Sequence, residues 1–389
     1  MDTGIIESFF LIFSGSTCLA AIALYTRQPL LVAYIAIGCL IGPYGFSLIN
    51  DASLLNEISE FGIIFLLFLV GMDLQPAQLK DMLGKSLLTA IASSVVLFLS
   101  GYGALIMFGY SNSDAVIAGI AICFSSTIIG IKLLPTTVLH HRHIGQIVVS
   151  LLLVQDLLAI IVLIFLDGWS TESPNLSSHI AQVLLVLPLL GLLAYAFVRF
   201  VLLPVVTRFD AFQEFIFLSA IGWCLALATL AQWAGLSFEI GAFIAGVSLA
   251  TSPLSQYITE SLKPLRDFFL ILFFFSVGAQ INLPLMLTLF VPIIVLTGLI
   301  LALKPMIFRV LLQWQGEKPE DAQEAGMRLG QASEFSLLIV YLATATTLLS
   351  EEVSLIIQGA TLATLLLSSY LVIFRYPSPI AVSARLRRD

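Results

Sequence analysis

A chain of 389 residues of which 59% are hydrophobic and only 11% charged, with a mean hydropathy of +1.05, belongs in lipid and leaves no stretch for a soluble catalytic domain. The formal charge of -7 says little about partners, because the side of the membrane on which each charge falls matters more than the sum. No phosphate-binding glycine loop, metal-ligand cluster or nucleophile triad is legible, which argues against an enzyme, and nothing points to nucleic acid.

A bilayer crossing needs about 20 apolar residues at about 1.5 Å each. In chain order the candidate spans are 4–24, 29–43, 54–74, 86–108, 113–135, 145–166, 179–203, 213–233, 238–252, 263–280, 285–312, 325–347 and 353–374. The first has no basic residue before Arg27, so it reads as a span rather than a cleaved signal peptide. In the second, Gly38 and Gly42 form a small-xxx-small pair suited to close helix packing. Glu57 and Glu60 open the third, where a hydrated outer entry is expected, and Asp73 and Asp267 lie near span ends, where capping or solvation suits a carboxylate. His140, His141 and His143 surround Arg142 in an inner loop; such spacing can bind metal or sense pH, but a solvated basic loop following the positive-inside trend is the favoured reading. Cys18, Cys39, Cys123 and Cys224 show no paired or metal-ligand spacing and read as inert thiols.

Thirteen crossings with the Arg375, Arg385, Arg387 and Arg388 cluster inside place the N-terminus outside. Arg27, Lys80, Lys85, Lys132, Arg142, Arg199, Arg208, Lys263, Arg266, Arg309, Lys318 and Arg328 then all fall on the inner side. The opposite loops carry Asp51, Asp114, Asp167, Glu172, Glu351 and Glu352 and no Lys or Arg. Lys304, inside the eleventh span, is the exception.

The two ends of the chain are related. FLLFLVGMDL (65–74) resembles LFFFSVGAQI (272–281), and AYIAIGCLIGP in the second span resembles AFIAGVSLATSP in the ninth. Two six-span halves joined by the seventh span must lie in opposite orientation, a signature of secondary transporters whose ion site sits near the midplane.

The sixth span, GQIVVSLLLVQDLLAIIVLIFL, carries Asp156 roughly 16 Å in from Gly145, close to mid-membrane. A carboxylate there costs several kcal/mol unless paired, and such acids mark ion or proton paths. At corresponding places of the two halves, FSSTIIG in the fifth span supplies Ser125, Ser126 and Thr127, and GQASEFS in the twelfth supplies Gln331, Ser333 and Glu334. Hydroxyls and glycines at this depth suit unwound backbone, so both helices are expected to break and cross near Asp156. Glu334 reads equally as a structural ion partner or as part of the ion path. Lys304 reads equally as a competitor for a core carboxylate, or as a charge that neutralises the broken-helix ends or snorkels to the inner face.

The blocks GCLIGPYG, FLLFLVGMDL, FSSTIIG, LVQDLLAI, FFFSVGAQINL and GQASEFSLL, in this order, resemble the Kef-type branch of the monovalent cation:proton antiporters. The resemblance covers essentially the whole chain. It implies an all-α polytopic membrane protein with the NhaA-like antiporter fold: 13 transmembrane helices, two inverted six-helix repeats and two broken crossing helices. It further implies a dimerisation domain from 1–83 and 206–284, an ion-binding core from 84–175 and 285–376, a linker helix over 176–205, a tail over 377–389, and elevator-like alternating access in a homodimer. Asp156 would be the cation and proton site, with Gln155, Ser125, Ser126 and Thr127 beside it, and Lys304, Glu334, Ser333 and Gln331 in support or coupling. Relatives with two adjacent acids at 155 and 156 are sodium-linked, whereas the Gln-Asp pair resembles potassium-linked members.

No cofactor is implied beyond the transported K⁺ (or Na⁺) and H⁺, and a bacterial inner membrane is the expected location. Kef systems usually carry a cytoplasmic nucleotide-binding regulatory domain after the last span. The sequence here ends at Asp389, which fits either a stand-alone relative or a shortened form, with such a domain or subunit outside this chain. The loop SPLSQYITESLKPLRD lacks the acidity of glutathione-gated members. Gln155 adds no second proton, which favours one-for-one electroneutral exchange. The competing readings are a Na⁺/H⁺ antiporter of the same fold, a gated K⁺ efflux channel whose polar path would run from face to face, and a solute symporter, for which the short polar blocks leave little room.

Overall fold

The computed structural model describes residues 5–49, 52–73, 76–135, 143–170, 176–209, 212–252 and 255–379. His140, His141, Arg142, Asp51, Glu172, Arg385, Arg387 and Arg388 lie outside the described residues. The described fold is all helical. The first half holds α1 (Ile5–Tyr25), α2 (Leu30–Ile41), α3 (Ala52–Asp73), α4 (Pro76–Met107), α5 (Asn112–Ala121), α6 (Thr127–Lys132) and α7 (His143–Ser170). Next come α8 (Leu176–Phe197), a π-helical turn (Val198–Leu202), α9 (Leu203–Arg208), α10 (Gln213–Trp233), α11 (Phe238–Ala250) and α12 (Ser255–Ala279). The last part holds α13 (Leu283–Thr288), α14 (Phe290–Trp314), α15 (Pro319–Arg328), α16 (Glu334–Ala345) and α17 (Glu351–Arg375).

Among the described residues, seven stretches are long and apolar enough to cross a bilayer unaided: Ile6–Tyr25, Gly84–Met107, His143–Leu166, Leu185–Arg208, Glu214–Trp233, Phe290–Trp314 and Glu351–Arg375. Helices α2, α11 and α16 are apolar but shorter. Two features depart from the sequence reading. The stretch 253–262, expected to connect the ninth and tenth spans as a loop, is helical from Ser255, and Pro264 lies far enough into α12 to leave its first two turns intact. Helix α4 starts at Pro76 rather than near 86, since proline suits the first helical turn, where an N–H has no partner to lose.

The chain divides into two compact units. One comprises Asp51–Lys80 and Ile164–Ser276. Its core joins Phe65, Phe68, Met72, Trp223, Cys224 and Leu227, and α3 lies backbone to backbone on α11. A Cβ on Gly246 would stand 2.0 Å from the Phe68 carbonyl oxygen, so only glycine permits that approach.

The other unit comprises Met1–Asn50, Asp81–Leu163 and Val277–Asp389. Helix α17 runs through it in contact with α2, α5, α13, α14, α15 and α16. Gly42 closes α2 and packs against Ala279. Leu151, Leu152, Phe308, Leu312, Ala325 and Leu329 form an apolar layer binding α7 to α14 and α15. All nine residues assigned from sequence to the ion site or its support belong to this unit.

Candidate ion-binding site

The site starts from backbone. Helix α5 ends at Ala121 and α6 starts at Thr127, leaving a non-helical stretch between them, and the expected break in the fifth span is present. An interrupted helix leaves carbonyls free at one end and N–H groups free at the other, and in an apolar interior each must find a partner. Gln155 on α7 serves both kinds: its Oε1 accepts from Ser125 N at 3.3 Å and its Nε2 donates to the Cys123 carbonyl at 3.3 Å. Both ends of the amide are thereby committed to backbone.

The three successive hydroxyls divide the remaining work. Ser125 Oγ donates to the Leu329 carbonyl at 2.8 Å. Ser126 caps α6, its Oγ accepting from Ile129 N at 3.2 Å. Thr127 Oγ1 lies 3.0 and 2.9 Å from the two carboxylate oxygens of Asp156, itself only 5% exposed.

The second break repeats the pattern. Helix α15 ends at Arg328 and α16 starts at Glu334. Ser333 caps α16 in a reciprocal box with Ser336, and Ser336 Oγ reaches across to the Ala121 carbonyl at the end of α5. Gln331 Nε2 donates to the Ser126 carbonyl at 3.4 Å, and its Oε1 accepts from Ser368 at 3.0 Å. The Ala332 N–H is taken by Thr364 Oγ1 at 3.0 Å. The two unwound segments therefore meet directly, as expected from the sequence.

Two buried charges complete the crossing. Lys304 on α14 is fully buried, and its ammonium donates to the carbonyls of Phe124 and, at 2.8 Å, Gln331. It thus answers the carbonyl-rich ends of both leading half-helices, where the helix dipole is negative. Glu334 does the converse. As the first residue of α16 it also accepts from Ile128 N, in the first turn of α6, at 3.3 Å, and Ser333 Oγ lies 3.4 Å from its other oxygen. One carboxylate therefore stands at the positive ends of both trailing half-helices.

Five contributors were not singled out from sequence. Asp114, counted with the outer loop acids, is buried, and its Oδ1 accepts from Ser350 N at 2.8 Å, tying α5 to the start of α17. Thr364 and Ser368 carried a usable signal: with Thr361 they recur every three or four residues in an apolar helix, on one buried face. Arg328 gave none, since it read as one of the basic residues of the inner side. Cys123 is an unpaired thiol, yet its carbonyl is one of Gln155's partners. Exposed Glu57, Glu60 and Asp267 stand outside this unit. His143 opens α7, and its Nε2 lies 2.7 Å from Glu317.

Close packing of α15 on α14 brings Lys304 within reach of Gln331. A Cβ on Gly326 would lie 2.5 Å from the Pro305 carbonyl oxygen. Gly326→Ala is accordingly expected to cost about 1–3 kcal/mol by overpacking, measured as a lower melting temperature in detergent. An unchanged melting point would show that α15 can move away freely.

Residues 10–373 match the family model of the transmembrane sodium/hydrogen exchangers. The chain belongs to this family. The resemblance read from its sequence is borne out, and it is an integral membrane protein. It is 26% identical to K(+) efflux antiporter 6 of Arabidopsis thaliana over 398 residues, covering 100% of this chain and 66% of that protein. K(+) efflux antiporter 4 of the same plant gives 26% over 396 residues, again 100% and 66%. The chain thus spans just under two thirds of the length of these relatives. Iron transporter MagA of Paramagnetospirillum magneticum is 27% identical over 348 residues, 88% of this chain and 79% of that protein. The fold is similar to that of the sodium proton antiporter MjNhaP1 from Methanocaldococcus jannaschii, with a TM-score of 0.70 at 16% identity, covering 94% of this chain and 95% of that one.

Proposed function

We propose that this family member exchanges a monovalent cation, with K⁺ favoured over Na⁺, for H⁺, and that Asp156 is the group the two ions share. The observation that carries this reading is a buried carboxylate held by Thr127 beside the meeting point of two helix breaks. One carboxylate binds a proton or a metal ion, not both at once, so the two flows are exclusive and therefore coupled. Thr127 Oγ1 and the carbonyls of the unwound segments offer the oxygen ligands that a hard cation takes. Gln155, engaged at both ends with backbone, acts as a positioning residue in this conformation rather than as a ligand. Gln331, Ser333, Lys304 and Glu334 hold the crossing together.

The likeness to plant K(+) efflux antiporters supports potassium. The likeness to an iron transporter is weighed against the donor set: among the described residues no group of three or more His, Cys, Asp or Glu side chains suits such a metal. The Gln155–Asp156 pair offers one titratable carboxylate to the ion rather than two, which favours electroneutral exchange. Thr364 is the fourteenth residue of α17, as Asp156 is of α7, so under an inverted repeat the second half contributes a hydroxyl where the first contributes the acid. Thirteen spans, the two inverted halves, elevator movement in a homodimer, the division into dimerisation and core domains, and an inside C-terminus in a bacterial inner membrane belong to the same proposal.

Purified protein in liposomes under an imposed pH gradient, given K⁺, Rb⁺ or Na⁺ in turn, tests it. Dissipation of the gradient by K⁺ and Rb⁺ is expected. Dissipation by Na⁺ alone would refute the potassium assignment, and cation flux without proton movement would favour the channel reading.

A further inference from the structure

Arg328 closes α15 at the point where the second break starts, and it is 1% exposed. A buried guanidinium is tolerated only when its charge is paired and its N–H groups have acceptors. Here they have them from three directions. Nε and Nη2 donate to Glu324 Oε1 on the preceding turn at 2.9 and 2.7 Å. Nη1 donates to the Leu133 carbonyl, just beyond α6, at 2.9 Å. Nη2 also reaches the Pro377 carbonyl, just beyond α17, at 2.8 Å, and the guanidinium lies 5.9 Å from the centre of the Tyr376 ring.

The consequence is geometric. Leu133 caps the far end of the short helix whose first residue, Thr127, holds Asp156. Leu329, next after Arg328, presents the carbonyl that Ser125 grips. A planar, five-donor group can serve these acceptors together, whereas an ammonium cannot reproduce the fork. We infer that Arg328 is a positioning residue for the ion site, locking both broken helices to one another and to the segment following the last helix. Arg328 thus joins Ser125, Gln331, Lys304, Glu334 and Ser336 in setting the spacing between Thr127 and the second break, and it alone of these reaches residues 376–377, which form a wall of its pocket. A displacement of that segment would be felt at Asp156 through α6.

This inference rests on the exchange reading, so its test includes a measurement independent of transport. Amide hydrogen exchange on the purified full chain is compared between wild type and Arg328→Gln. Exchange is expected to quicken at least several-fold across 126–134 and 329–334 and to stay unchanged in α1. In liposomes the same variant is expected to raise the apparent KM for K⁺ several-fold, and Arg328→Lys to restore only part of it. If Arg328→Gln does not fold, Glu324→Ala carries the same expectation at smaller amplitude. Unaltered hydrogen exchange over 126–134 in whichever variant folds, or full rescue by Lys, overturns the inference. Wild-type protein that moves no cation defeats the exchange reading instead, and the hydrogen-exchange arm still decides the role of Arg328.

Discussion

Asp156→Asn is expected to reduce cation-linked proton movement in proteoliposomes to background while leaving the protein folded. Asparagine matches aspartate in size and keeps an oxygen for Thr127, whose hydroxyl lies 3.0 and 2.9 Å from the two carboxylate oxygens. What it loses is the negative charge that a bound cation neutralises and the capacity to take a proton. Removing a buried charge spares its desolvation, so the change in stability is expected to stay within about 1 kcal/mol. Full-length expression, an unchanged melting temperature and no response to K⁺ would together place the defect in ion exchange rather than folding. Exchange at the wild-type rate would remove Asp156 from the mechanism.

Lys304→Ala is expected to have the larger effect on stability. The variant leaves the Phe124 and Gln331 carbonyls without the ammonium they share and opens a cavity where a fully buried side chain had been. Two orphaned carbonyls and the cavity suggest a loss of about 3 kcal/mol or more. The reading is a melting temperature several degrees lower in detergent. Lys304→Gln keeps a donor for one carbonyl but no charge, and should fall between. A different pattern follows if the ammonium competes with the cation for Asp156. The variants would then bind K⁺ more tightly at unchanged thermal stability, and the bridging role would be wrong. Arg309, one turn and a residue further along α14, offers a control because it lies beyond the breaks.

The membrane character, most of the long apolar helices, a buried acid at position 156 and the two helix breaks were legible in the sequence. Each is a local property: apolar run length decides where a helix can lie in lipid, and Ser, Thr and Gly clustered at depth can satisfy backbone that leaves the helix. The Gln-Asp pair was equally visible, though not the task of Gln155, whose amide reads as a free ligand until the Cys123 carbonyl and Ser125 N–H stand on either side of it.

The partners of the long charged side chains were decided by tertiary structure alone. Lys304 could not be divided between two roles from sequence because its acceptors lie on other segments, Phe124 being 180 residues away. Glu334 acquires its meaning from Ile128, 206 residues distant, and Arg328 from Leu133 and Pro377. Hydrophobic pattern records how deep a residue sits, since that cost is paid along its own helix. Which free carbonyl or N–H a buried charge will satisfy depends on where another helix happens to unwind, and that is fixed only when the two breaks are packed against each other.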